Sequence, residues 1–204
     1  VCAKLFDMDM GEIKKALHVQ LAGKQKAIDI NEPALDFAYK WAEENLKKAD
    51  PFRTEKMKAN EGKIIIEGNA ATALGLMFGG VTVVTWYPIT PSSSLCEYLE
   101  GYLNQYRMKD GKKTFAVVQA EDEISAVGML CGAGWAGARA FTSTSGPGIS
   151  LMNEFIGLAY FAEIPFVICN VARTGPSTGL PTRTMQGDVF SLFYASHGDT
   201  KHVV

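Results

Sequence analysis

From Lys63 onward the chain alternates short apolar, β-branched runs with helical stretches or glycine-rich turns, and this alternation constrains the fold more than any other feature. The runs are residues 63–66, 81–86, 114–118, 139–143 and 166–171, each of a length and composition suited to a strand. Strands that alternate with helices pair in parallel, because each connection crosses over the sheet and leaves a helix on one of its faces. The expected fold class is α/β: a parallel sheet with helices on both faces. In such sheets ligands sit outside the carboxyl ends of the strands. The richest turns, after Trp86, Val118 and Ser143, fall at those ends.

Residues 1–55 read differently. After Asp7-Met8-Asp9-Met10, the apolar positions Ile13, Ala16, Leu17 and Leu21 recur at helical spacing until Gly23 and Lys24 interrupt them. A second helix is expected to start from Asn31 as N-cap, with Pro33 in its first turn. Its apolar face is Leu35, Tyr39, Ala42 and Leu46, opposite Glu43, Glu44, Lys47 and Lys48. Two helices cannot enclose a core, so this segment is expected to be the end of a domain whose body lies elsewhere. Residues 50–62 turn charged and polar without periodicity, as in a linker. The expected organisation is a terminal part of one domain over 1–55, a linker over 56–62 and a second domain over 63–204. A chain that opens on Val1 without an initiator methionine and closes on Val203-Val204 is expected to be a piece of a longer polypeptide.

Composition closes off several classes of function. With 204 residues, 47% of them hydrophobic, the chain can bury one good core. A net charge of -2 and a pI near 6.0 provide neither a basic stripe for nucleic acid nor a polybasic membrane anchor. No apolar run approaches the roughly 20 residues of a membrane span, and no secretory leader opens the chain. Nucleic acid and membrane are not expected partners, and a cytoplasmic location is expected. Cys2, Cys96, Cys131 and Cys169 are too scattered for a zinc or iron–sulfur site, so no metal is expected on this chain. They read as small buried residues in a reducing compartment.

Four stretches could carry chemistry. Tyr87-Pro88-Ile89-Thr90-Pro91-Ser92-Ser93-Ser94 sets hydroxyls and backbone N–H groups beside a helix start, where an anion is favoured, although an ordinary helix start accounts for it equally. Gln119-Ala120-Glu121-Asp122-Glu123 places three acids before a helix that contains Ala126, Gly132, Ala133 and Gly134. The helix dipole explains acids there. Each interior glycine costs about 1 kcal/mol relative to alanine, so close approach of another backbone or of a flat ligand is expected. Ser143-Thr144-Ser145-Gly146-Pro147-Gly148 is a turn without bulk, suited to lie against a planar ring or simply to join strand to helix. It lacks the Gly-Lys-Ser/Thr of a nucleotide-triphosphate loop and the third glycine of a dinucleotide fingerprint. The stretch from Arg173 to Asp188 is loop-like and carries Arg173 and Arg183, side chains able to grip carboxylates.

Together and in this order these stretches resemble the alpha subunit of the 2-oxoacid:ferredoxin (acceptor) oxidoreductases, especially the 2-oxoglutarate branch. The resemblance covers residues 63–204, and residues 1–55 resemble the end of the gamma domain that many members carry fused ahead of alpha. It implies a thiamine diphosphate-binding fold, this chain forming the pyrimidine-binding domain, with a glutamate that touches the aminopyrimidine ring. A carboxyl group hydrogen-bonded to the ring nitrogen favours the imino tautomer of the neighbouring amine, which then removes the thiazolium proton. Thiamine enzymes show Glu, then Ala three residues on and Gly nine residues on. Glu123 has Ala126 and Gly132 at those places, whereas Glu121 has Leu130 at the second. Glu123 is therefore the expected catalytic acid, and Glu121 and Asp122 the helix-start acids or interface contacts.

The same resemblance assigns Tyr87, Pro88, Ile89, Ser145, Gly146, Pro147 and Gly148 to the cofactor, and Thr90 and Arg173 to the substrate carboxylate. Arg183 has two readings of equal weight, a distal substrate carboxylate or a subunit contact. The magnesium-diphosphate signature Gly-Asp-Gly is missing and no cysteine cluster is present. A beta subunit is thus implied, bringing Mg2+, the diphosphate site and an iron–sulfur cluster, with ferredoxin or a similar carrier, coenzyme A and a 2-oxoacid completing a hetero-oligomeric oxidative decarboxylation. A non-oxidative thiamine enzyme and a non-catalytic assembly module of the same fold are the alternatives.

Overall fold

A computed structural model describes residues 1–176 and 186–198. The chain divides into two compact units, Val1–Ile64 and Ile65–Val204.

The first unit holds helices α1 (Cys2–Leu5), α2 (Met10–Gln20) and α3 (Gln25–Asn45). Asp9 caps α2, its carboxylate accepting the N–H of Gly11 at 2.8 Å. Asn31 is not a cap. It lies inside α3 and donates its side-chain amide to the Ala27 carbonyl at 2.8 Å, and Pro33 sits within the same helix. The missing proline N–H leaves the Asp29 carbonyl without a helical partner, and this turn is exposed, so water can take it. Only Ile28 and Ala42 are buried, while Val19, Ile30, Phe37 and Trp41 stay exposed. The polar stretch near residue 50 is not a free spacer: Thr54 donates its N–H to the Phe6 carbonyl at 2.8 Å, and Lys56 pairs with Asp9 at 2.5 Å.

The second unit contains α4 (Gly68–Phe78), β1 (Val83–Trp86), α5 (Ser93–Tyr106), β2 (Met108–Lys109), β3 (Lys112–Lys113), β4 (Ala116–Gln119), α6 (Glu123–Trp135), β5 (Ala140–Thr144), α7 (Gly146–Phe161), β6 (Val167–Asn170) and α8 (Val189–Phe193). Residues 63–66 form no strand, and Ile65 is 93% exposed. A β-branched run becomes a strand only where a neighbour takes its backbone groups, and none among the described residues does so here. The small hairpin of β2 and β3 turns through Asp110 and Gly111, both at positive φ, an Asp-Gly signal that strand periodicity alone passes over.

The main sheet is parallel, in the order β4-β1-β5-β6. Trp86 is in register with Gln119 and Thr144 with Asn170, so all four strands end at one rim. The chain leaves β1 toward β4 and returns to β5 on the other side, which puts the reversal of strand order between β1 and β5. One face packs Ala73 and Met77 of α4 and Leu95, Leu99 and Leu103 of α5 against Val84, Trp86 and Phe141. Each buried leucine contributes about 1.5–3 kcal/mol. The other face carries Ala126 and Val127 of α6 and Met152 of α7 over Phe166 and Ile168. Within α6, Gly134 lets the helix approach another backbone, since a Cβ there would lie 2.8 Å from the Pro165 carbonyl oxygen, whereas Gly132 faces open space. No helix of the described residues is long and apolar enough to cross a membrane.

Candidate functional site

Each turn singled out in the sequence begins where a strand ends, and the register brings the turns to one rim. After β1 the chain passes through Tyr87, half-buried, Pro88, exposed, Ile89, buried, and Thr90, exposed. Ser92 does not cap α5. It is buried, and its hydroxyl donates to Ser143 Oγ at 2.8 Å. Cys96 Sγ lies 3.1 Å from the same oxygen, and burial pushes its thiol pKa up to about 12. Asn69 holds the turn from outside, donating to the Pro91 carbonyl at 3.0 Å and to Ser94 Oγ at 2.8 Å.

After β4 the two competing glutamates part company. Glu121 is exposed, whereas Glu123, the first residue of α6, is 6% exposed. Asp122 between them is the N-cap of α6: its carboxylate accepts the Ser125 N–H at 2.6 Å, and that hydrogen bond holds the carboxyl below its usual range. No hydrogen-bond partner of the Glu123 carboxylate is found among the described residues. Helix α7 settles directly on Glu123, because Gly148 has no Cβ. One there would overlap Thr144 Oγ1 and lie 2.9 Å from Glu123 Cγ.

Ser145, fully buried, joins three turns. Its hydroxyl donates to the Val171 carbonyl at 3.1 Å and stands 3.5 Å from the Thr90 carbonyl. Arg173 is 4% exposed and donates Nη1 to that Thr90 carbonyl at 2.9 Å, while its buried Nε has no partner. No acidic side chain of the described residues forms an ion pair with it. A buried cation without a counter-charge is costly. Asp188, also buried, accepts from Asn170 Nδ2 at 2.7 Å.

The structure therefore brings Tyr87, Pro88, Ile89, Thr90, Glu123, Ser145, Gly146, Pro147, Gly148 and Arg173 to one rim. Arg183 lies outside the described residues. Sequence reasoning missed the Ser92–Ser143–Cys96 bridge and the Asn170–Asp188 pair, whose members are separated by 51, 47 and 18 positions and share no periodic signal. No cluster of three or more metal-ligating side chains occurs among the described residues.

Residues 74–204 match the sequence model of a family described as pyruvate flavodoxin/ferredoxin oxidoreductase, thiamine diphosphate-binding. The chain belongs to this family. Among its oxidoreductase relatives, 2-oxoacid:ferredoxin oxidoreductase 2, subunit alpha, of Aeropyrum pernix is 40% identical over 201 residues, covering 94% of this chain and 31% of that protein. The 2-oxoglutarate synthase subunit KorA of Archaeoglobus fulgidus is 44% identical over 140 residues, covering 69% of this chain and 38% of its own. A solved 2-oxoglutarate:ferredoxin oxidoreductase of Magnetococcus marinus, with 2-oxoglutarate, coenzyme A and succinyl-CoA bound, superposes with a TM-score of 0.75 at 37% identity. That match covers 98% of this chain and 34% of the other. The chain thus spans about a third of the length of the relatives it matches.

Proposed function

We propose that this chain provides the pyrimidine-binding, alpha-type domain of a cytoplasmic 2-oxoglutarate:ferredoxin oxidoreductase, and that residues 1–55 are the end of a gamma-type domain fused ahead of it. The observation that carries the proposal is the convergence on one rim of a buried acid, Glu123, and a buried cation, Arg173, whose guanidinium forms no ion pair among the described residues, beside the exposed Thr90. The family, and relatives named for 2-oxoglutarate, support it.

The residues fit thiamine diphosphate. Glu123 is buried without a partner among the described residues, as an acid must be if it is to share a proton with a ring nitrogen. When bound, thiamine diphosphate supplies a nucleophilic carbon and an electron sink for decarboxylation. Glu123 holds a proton at the aminopyrimidine nitrogen. Tyr87, Pro88 and Ile89 and the segment Ser145-Gly146-Pro147-Gly148 border the cofactor. The Thr90 hydroxyl and the Arg173 guanidinium hold the 2-oxoacid carboxylate next to the reacting carbonyl. Arg183 takes the distal carboxylate of 2-oxoglutarate, or else contacts a neighbouring subunit. A beta subunit would contribute the diphosphate site, Mg2+ and an iron–sulfur cluster; the cluster would supply a one-electron path, so that the two electrons of the oxidation would reach ferredoxin one at a time and the acyl group left after decarboxylation would go to coenzyme A.

The test uses the full-length polypeptide co-expressed with its partner. Reduction of ferredoxin that requires both coenzyme A and a 2-oxoacid, with 2-oxoglutarate preferred over pyruvate, is the expected result. Release of carbon dioxide without ferredoxin reduction would overturn it in favour of a non-oxidative thiamine enzyme.

A further inference from the structure

Asp188 ends the loop-like stretch and stands at the N-cap position of α8. In the structure it makes no side-chain cap there and is instead 7% exposed. Its Oδ2 accepts from Asn170 Nδ2 at 2.7 Å and lies 3.4 Å from the backbone N–H of Arg173. Asn170 is the last residue of β6, and Arg173 stands three residues beyond it. A second tie joins the same two segments: the Gly187 N–H donates to Thr174 Oγ1 at 2.9 Å.

The clamp has little room to move. Gly146 opens α7, and a Cβ there would overlap the Arg173 carbonyl oxygen and lie 2.8 Å from Asp188 Oδ2. The carboxylate thus sits against the first turn of a 16-residue helix, where the helix dipole favours negative charge. Asp188 forms no ion pair with the Arg173 guanidinium, so its hold is on the backbone of that residue. The guanidinium in turn reaches the Thr90 carbonyl at 2.9 Å.

We infer that Asp188, acting with Asn170, is the positioning residue that sets Arg173 against the Thr90 turn, and that it does so as a hydrogen-bond acceptor rather than as a charge. The inference rests on the role proposed above for Arg173 at the substrate carboxylate. Displacement of a positioning group by about 1 Å can cost on the order of 100-fold in rate.

The experiment is a double-mutant cycle in the full-length, assembled enzyme, read as kcat and KM for 2-oxoglutarate together with the Kd for thiamine diphosphate. Asp188→Ala is expected to lower kcat/KM by roughly 10- to 100-fold while leaving cofactor affinity nearly unchanged. Asp188→Asn keeps an acceptor oxygen at the same reach and is expected to recover most of that loss. Added to Arg173→Ala, Asp188→Ala should cost less than about threefold, because the group it positions is already gone. An undiminished cost in the Arg173→Ala background, or Asp188→Asn as damaging as Asp188→Ala, overturns the inference and leaves the site reading intact. If Arg173→Ala is itself harmless, the substrate role of Arg173 falls and the inference falls with it. Should Asp188→Ala not assemble, Asn170→Ala removes the same clamp from the other side and replaces it in the cycle. Failure of both to assemble would assign the pair to folding and overturn the inference.

Discussion

Arg173 Nη1 donates a 2.9 Å hydrogen bond to the carbonyl oxygen of Thr90, 83 positions earlier in the chain. A buried guanidinium that spends one donor on the backbone of a facing turn ties that turn down and, in the role proposed for it, has its other donors free for the substrate carboxylate. Thr90→Val and Arg173→Ala are therefore expected to impair every 2-oxoacid alike, since all share the carboxylate beside the reacting carbonyl. Arg183→Ala should instead penalise 2-oxoglutarate relative to pyruvate, by about 1.5–3 kcal/mol if a charge-assisted hydrogen bond is lost. Ratios of kcat/KM in the assembled enzyme measure this, and an unchanged ratio would remove Arg183 from the substrate site.

Glu123 and Glu121 stand two residues apart, one buried and one exposed. Glu123→Gln keeps the shape but cannot share the proton, so activity should fall by about 10²–10⁴-fold with little change in thermal unfolding. Glu121→Gln is the control. Loss of activity in the control and its retention in Glu123→Gln would reverse the assignment.

Gly148 is where α7 meets Glu123. Gly148→Ala would drive a methyl into Thr144 Oγ1 and against Glu123 Cγ, and overpacking of this kind costs about 1–3 kcal/mol. Gly75→Ala in α4 meets open space and should be neutral or stabilising by up to about 1 kcal/mol. Denaturant midpoints of the two variants check the difference; equal midpoints would mean that α7 does not rest on Glu123.

Asp122 gives the helix cap a pH dependence. The Ser125 N–H holds the carboxyl below its ordinary value of 3.8, so the folded state binds its proton less readily than the unfolded chain. The stabilisation is present in full above that value and is lost as pH falls below it toward the folded pKa. Asp122→Asn still caps but does not titrate, so its stability should fall less steeply than the parent's over the same acid range. Urea midpoints measured from neutral pH down through 3.8 test this, and parallel curves would exclude Asp122 as the cause.

What the sequence settled by itself was local and periodic. Alternating β-branched runs and helices required a parallel sheet, and such a sheet puts the turns after Trp86, Gln119 and Thr144 at one edge. The spacing of Glu123, Ala126 and Gly132, read through the family resemblance, favoured one of two glutamates, and the two differ in burial. Local pattern failed where pairing or solvent decided. Residues 63–66 have strand composition but no pairing backbone among the described residues, and Asn31 has cap chemistry but lies inside a helix that tolerates Pro33 on an exposed turn. Only the tertiary structure could decide which polar side chains hold the rim together. Ser92 meets Ser143, Arg173 meets Thr90, and Asp188 meets Asn170 through sheet order and helix seating, over separations with no period to read. A periodic pattern reports which face of an element is buried, because burial repeats along the chain. A hydrogen bond between two turns is a single event in space, and nothing in either segment alone announces it.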